Sequence, residues 1–292
     1  SVVISNRNDL EMLVITIRSC LEEFKALSDP SQAEIVVCDN SDEAIYTNLL
    51  SGISPKYSNV RVLRQKFPCL FTAREAAIKN AHGEYVLCLD SHMLCGRNMV
   101  ADMVAFMDKH SANSRLGFAH APICWAHHHE SRAKHDREMT LTSTELGAWG
   151  KRYDHERKIT WKGMPWICRR EFFTDILGGY GALSQHKLAW GGGDLLIGVK
   201  PWMLGYENWA VPTSAGIHLG PFPFDRKYRH YRLYSVSGEG TVCVGFLVAC
   251  YVLGDEAMML RNEAVLAERF PQMKPREHWR LAKRLGENER RW

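Results

Sequence analysis

The sequence predicts an α/β fold, a mostly parallel sheet flanked by helices. Three observations predict it. Short β-type runs alternate with helical periodicity through the first 122 residues. One run, Tyr85-Val-Leu-Cys-Leu89, is unbroken and apolar, as a strand buried on both faces is. Two runs stop at an acid, Asp39 and Asp90, and in such sheets ligands collect at the carboxyl ends of strands. With 292 residues, 46% hydrophobic and 24% charged, the chain can form one large core that buries about three-quarters of its unfolded surface. Disorder, collagen-like repeats and coiled coils are excluded.

Taken in order, Val2-Val-Ile-Ser5 is the first β run, and Asn8 or Asp9 can cap a helix carrying Leu10, Leu13, Val14, Ile17, Leu21 and Phe24 on one face. Glu34 to Asp39 repeats the strand signal, and Val60 to Leu63 gives a third after a loop holding Pro55. A helix is predicted from about Thr72 to Ala81, ended by Gly83, then the apolar strand stopping at Asp90-Ser-His92. A helix near Asn98 to Lys109 and a strand from Leu116 to Pro122 follow. Beyond this the texture changes, with seven of the nine Trp between Trp125 and Trp209 in a Gly-rich, less periodic half that reads as loops building a binding region.

Nine cysteines, scattered from Cys20 to Cys250 without a C-x-x-C pair, fit reduced thiols rather than a disulfide framework or a zinc ribbon. The longest apolar run, Val242 to Leu253, contains Gly245 and falls short of the roughly 20 residues of a membrane helix. No signal-like segment opens the chain, and a cytoplasmic protein without a membrane span is expected. Seven basic residues against three acidic ones from Pro271 to Trp292 match the formal +4 of the whole chain. That segment is either a solvated helix face or a polyanion contact.

Three constellations can carry chemistry. Asp90-x-His92 sets an oxygen and a nitrogen ligand just beyond a strand, and His218, in Ala215-Gly-Ile-His-Leu219, can supply a third for Mn²⁺ or a similar ion; a strand-end Asp also caps turns. Trp190-Gly191-Gly192-Gly193-Asp194 lets a backbone approach a ligand and ends in a carboxylate. Asp194 reads equally as a helix N-cap or as a general base. Arg226, Lys227, Arg229 and Arg232 alternate with Tyr228 and Tyr231, a pattern that suits a diphosphate clamp, a nucleic-acid track or a plain surface helix. The run His127-His-His129, among charged neighbours, reads as an exposed polar segment.

The order of these pieces resembles the GT-A glycosyltransferases, the Rossmann-like family 2 group and especially the polypeptide N-acetylgalactosaminyltransferases. The resemblance rests on Ala81-His-Gly-Glu-Tyr-Val-Leu-Cys-Leu-Asp-Ser-His92, Gly178-Gly-Tyr180, Trp190-Gly-Gly-Gly-Asp194, Trp202-Met-Leu-Gly205, Pro212 and His218, and runs from Val2 to about Pro223. It implies one catalytic domain over 1–223, with a nucleotide-binding half 1–122 and an acceptor and sugar half 123–223. Residues 224–292 then form a basic-aromatic loop and C-terminal helices, including 245–255 and 256–270, packed on the same domain, with no lectin module.

The resemblance further implies a UDP-sugar donor bound by Asp39 at the nucleoside and by Arg74 near the nucleotide. Asp90, His92 and His218 would hold Mn²⁺ or Mg²⁺; Trp190, Gly191 and Gly192 would line the donor; Arg226, Lys227 and Arg229 would face the diphosphate. Two departures stand out. Gly193 replaces the usual Glu, which points to an unusual acceptor, and Asp194 replaces the Asn of the retaining enzymes, which favours an inverting transfer with Asp194 as base. The expected acceptor is a glycan or a hydroxymethylated DNA base, the latter suited by the basic tail. An inactive sugar-nucleotide binding protein and a nucleotidyltransferase are the alternatives, and the absence of glycine in Ser5-Asn-Arg-Asn-Asp9 disfavours the second.

Overall fold

Four five- or six-residue apolar runs assemble side by side into the parallel half of an eight-stranded sheet: β1 (Val2–Asn6), β2 (Ile35–Asp39), β3 (Val60–Arg64) and β4 (Tyr85–Asp90). All five residues of β1 and of β2 are buried, because helices cover both faces of a parallel sheet. The computed structural model describes residues 1–41, 43–53, 55–125, 137–140, 148–152, 157–158, 163–185, 193–211, 215–219, 260 and 275–290. The connecting helices are α1 (Leu10–Phe24), α2 (Glu43–Ile53) and α3 (Leu70–Lys79), with α4 (Met99–Lys109) after β4. On α1 the buried residues Leu13, Thr16, Ile17, Cys20 and Phe24 recur at three and four, the spacing of one helix face.

Beyond β4 and β5 (Met93–Cys95) come β6 (Leu116–His120), β7 (Ile123–Trp125), β8 (Arg137–Thr140), β9 (Ala148–Arg152), β10 (Arg157–Lys158) and β11 (Trp166–Arg169). They are followed by α5 (Ala182–Gln185), α6 (Gly193–Met203), β12 (Glu207–Ala210), β13 (Gly216–His218) and α7 (Pro275–Arg290). The large sheet runs β10-β12-β6-β11-β4-β1-β2-β3. Six of its eight strands point the same way; β11, slotted between β4 and β6, and β10 at the edge run against them. A small sheet, β5-β13-β7, sits at the carboxyl end of β4.

The expected alternation is present, with additions. The turn holding Pro55 is preceded by a helix, α2, that the residue pattern does not reveal, and β5 and β11 to β13 are strands it does not reveal either, being three or four residues long. Asp9 sits at the start of α1, but its carboxylate makes no capping bond there. Residues 245–255 lie outside the described residues, as do 256–270 apart from Leu260. Cys20, Cys38, Cys69, Cys88, Cys95, Cys124 and Cys168 are free thiols. Among the described residues no helix is long and apolar enough to cross a membrane.

Candidate active site

The turn after β4 leads from Asp90 through Ser91 and His92 into β5. α1 grips it from one side: Thr16 Oγ1 donates to the Ser91 carbonyl at 2.9 Å and accepts from the Met93 N–H at 3.0 Å, while Ser19 Oγ accepts from the Cys95 N–H at 2.9 Å. β13 grips it from the other, in a register that pairs His218 with Met93. Two histidines 126 residues apart thereby meet. Their Nε2 atoms are 3.1 Å apart, the rings lie edge to face, and His218 Nε2 is 3.9 Å from Asp90 Oδ2.

One ligand atom from each of Asp90, His92 and His218 lies within 4.8 Å of the others. Two neutral imidazole nitrogens this close repel through their lone pairs unless a proton or a cation lies between them. Two ligands about 2.1 Å from one ion and at right angles to each other sit about 3 Å apart. The mixed oxygen and imidazole set therefore fits a divalent ion such as Mn²⁺.

Asp90 divides its carboxylate between two tasks. Oδ2 faces the histidines, and Oδ1 accepts from Arg74 Nη2 at 2.6 Å. Arg74, on α3 and only 4% exposed, also reaches Tyr180 Oη at 3.4 Å and lies 4.0 Å from Asp194 Oδ1. Burial works against the charge of Asp90, but Arg74, His92 and His218 outweigh it and hold the carboxyl below its ordinary range. Burial likewise opposes the charge on Arg74, and Tyr180, Cys88, Asp90 and Asp194 reverse the balance, raising it well above the usual arginine value. For His92 burial pulls down, while the hydrogen bond to Asp9 and the Asp90 charge win and raise its pKa.

Asp194 is the second residue of α6, inside the first turn rather than at the cap. Its Oδ2 accepts from the Gly163 N–H at 2.8 Å, and the side chain keeps 24% of its exposure. A carboxylate at a helix N-terminus is favoured as the anion, the form a base requires. Its neighbour Gly193 is buried, and a Cβ there would come within 2.5 Å of Phe71 and 3.2 Å of Tyr180. The space that a side chain at 193 would need is filled by this aromatic pair, whose centroids are 5.1 Å apart.

Asp39 closes β2 with its side chain fully buried. Asn6 Nδ2 and Ser41 Oγ each donate to Oδ1 at 2.6 Å, and the Ser41 N–H and Arg64 Nη1 donate to Oδ2 at 3.2 Å. The guanidinium of Arg64 in turn lies over the Tyr46 ring, 4.4 Å from its centroid. Asp39 thus ties the end of β2 to Asn6 of β1 and Arg64 of β3, with Arg64 as the more exposed member of the ion pair.

The structure brings Asp90, His92, His218, Arg74 and Asp194 together and sets Asp39 at the end of β2. Trp190, Gly191, Gly192, Arg226, Lys227 and Arg229, and the run 127–129, lie outside the described residues. Sequence reasoning missed Arg64 and the contact made by Asp9, whose Oδ2 is 3.1 Å from His92 Nδ1. No local signal points to a contact spanning 83 residues.

The sequence profile of the family described as Glycosyl transferase family 2 matches residues 1–162. Among solved structures, the chain is similar to GalNAc-T7 crystallised with UDP, GalNAc and Mn²⁺, at 20% identity and a TM-score of 0.69, over 99% of this chain and 53% of that one. The chain therefore spans about half the length of that relative. It is also similar to the mannosyltransferase PcManGT from Pyrobaculum calidifontis in complex with GDP-Man and Mn²⁺ (16% identity, TM-score 0.57, 96% of this chain and 72% of that one). A third likeness is to residues 1–349 of S. aureus TarS (14% identity, TM-score 0.54, 97% and 89%). At these identities the likenesses speak for the fold. No curated protein matches the sequence.

Proposed function

The chain belongs to glycosyl transferase family 2 and has the GT-A fold, and from that premise we propose that it transfers a sugar from a UDP-sugar to an acceptor hydroxyl, with inversion, in a reaction that depends on Mn²⁺ or Mg²⁺. The observation that carries this reading is the convergence of Asp90, His92 and His218, linked through Arg74 to Asp194. Supporting it, GalNAc-T7 was crystallised with UDP, GalNAc and Mn²⁺ and PcManGT with GDP-Man and Mn²⁺.

Asp90, His92 and His218 would hold the ion. When bound, a divalent cation neutralises the charge on the diphosphate that leaves. Arg74 keeps Asp90 ionised and its free oxygen turned to the histidines. Asp194 accepts the proton of the acceptor hydroxyl while the acceptor oxygen bonds to the anomeric carbon, and the bond from that carbon to the diphosphate oxygen breaks, UDP departing with the electron pair. Asp39 serves the nucleoside end, and the motif order assigns Trp190, Gly191 and Gly192 to the sugar and Arg226, Lys227 and Arg229 to the diphosphate. The division that goes with this reading is a catalytic domain over residues 1–223, with 1–122 for the nucleotide and 123–223 for the sugar and acceptor.

The acceptor is a glycan or a hydroxymethylated base in DNA. For the second, α7 offers Arg280, Lys283 and Arg284 exposed while Ala282, Leu285 and Glu289 face inward, and a cationic helix face suits a polyanion. Thermal melting with a panel of UDP-sugars, with and without Mn²⁺, tests the reading. A productive donor at about 100 times its Kd stabilises the fold by about 2.7 kcal/mol, which raises the melting temperature by about 4 °C only when Mn²⁺ is present. Asp194→Asn retains that shift and loses about 10²- to 10⁴-fold in transfer. No shift with any donor overturns the site, and unchanged transfer by the variant overturns the base.

A further inference from the structure

Asp9 begins α1 with a carboxylate that is only 7% exposed and makes no capping bond to its own helix. An aspartate there usually closes on the N–H groups two or three residues on. In this chain the side chain turns the other way, across to the turn after β4. Oδ2 lies 3.1 Å from His92 Nδ1 and 3.4 Å from Ser91 Oγ. A carboxylate accepts, so His92 Nδ1 carries the proton. The lone pair of a neutral ring is then on Nε2, the atom that faces His218 Nε2 and the Asp90 carboxylate.

We propose that Asp9 is a positioning residue for the cation site, locking His92 in its Nδ1–H tautomer so that Nε2 is presented to the ion before it arrives. The proposal rests on Asp90, His92 and His218 binding a divalent cation. An outer carboxylate of this kind both fixes the ring orientation and strengthens the ligating nitrogen, and its loss typically lowers metal affinity 10- to 100-fold. The turn has anchors besides Asp9. Thr16 and Ser19 bind residues 91, 93 and 95 independently, and β13 pairs with β5.

The test is Mn²⁺ binding by electron paramagnetic resonance on the whole chain, without nucleotide, for the parent protein, Asp9→Ala and Asp9→Asn. A second readout is the tautomer of His92, taken from its ¹⁵N shifts in the metal-free protein at mildly alkaline pH. In the parent, Nδ1 is protonated and Mn²⁺ binds. Asp9→Ala weakens binding 10- to 100-fold and populates the Nε2–H form. Asp9→Asn, whose amide oxygen still accepts from Nδ1–H, keeps the tautomer and loses less. Equal Mn²⁺ affinity and an unchanged tautomer in Asp9→Ala overturn the role of Asp9 while leaving the cation site standing. A parent protein that binds no Mn²⁺ overturns the cation site and the proposal with it. Should Asp9→Ala fail to fold, Asp9→Asn decides: an Nε2–H ring in that variant with undiminished affinity overturns the proposal.

Discussion

At position 193 the missing side chain is not an open space but the seat of Phe71, whose ring would stand 2.5 Å from an added Cβ. Gly193→Ala is therefore expected to destabilise the protein by about 1–3 kcal/mol, the usual result of overpacking a filled interior. Urea unfolding measures this, and Phe71→Leu in the same chain should recover part of the loss; equal stability of Gly193→Ala and the parent would sink the packing argument. The residues whose types carry ligand chemistry, Asp90, His92, His218 and Asp194, were legible because motif order singles them out. The tenancy of Phe71 and the reach of Asp9 were not, since each is a contact between segments far apart in sequence. Asp39 was legible as a strand-end acid, yet the four hydrogen bonds that enclose it depend on where Asn6, Ser41 and Arg64 fall in space.

Among elements, α6 and α7 are joined by Lys200 and Glu289, each 4% exposed, at 2.7 Å. Glu289 also accepts from the Ala182 N–H at the start of α5, and Lys200 donates to the Leu177 carbonyl at 3.0 Å. The pair thus fixes the helix that carries Asp194 in its first turn against the segment that carries Tyr180. Removing one partner strands a buried charge, so Lys200→Met is expected to cost about 3–5 kcal/mol. Adding Glu289→Leu to Lys200→Met should recover part of that loss, short of the parent because the bonds to the Ala182 N–H and the Leu177 carbonyl go too, and a double-mutant cycle by chemical denaturation checks this; additive losses would contradict it. Long periodic helices such as α1, α3 and α4 could be read to within about two residues, because their apolar spacing is regular. α2 could not, its pattern being masked by the Ser, Gly and Pro near its end, and three- or four-residue strands carry too few positions to show a period.

For the molecule as a whole, Glu34 clasps three distant stretches: it accepts from the Ser1 hydroxyl at 2.7 Å, the His82 N–H at 2.6 Å and Arg61 Nη2 at 2.8 Å. Burial pushes its pKa up, but these donors outweigh it and hold the carboxyl at about 2 against its ordinary 4.5. A pKa lowered in the folded state contributes stability that is complete above 4.5 and is lost as the pH falls through about 2. Glu34→Gln should flatten the fall in melting temperature across that window and melt lower at neutral pH; a parallel pH profile would show that Glu34 contributes nothing. The alternation that makes the sheet mostly parallel was legible from the start, whereas its reversal at β11 was not. That reversal has a consequence for synthesis. β4 leaves the ribosome with one flank unpaired, and the strand that covers it, β11, is not complete until Arg169 has emerged. Through that interval the chain displays an apolar edge open to any neighbouring strand, so nascent chains and fragments cut before residue 166 are the forms most exposed to aggregation and to capture by chaperones.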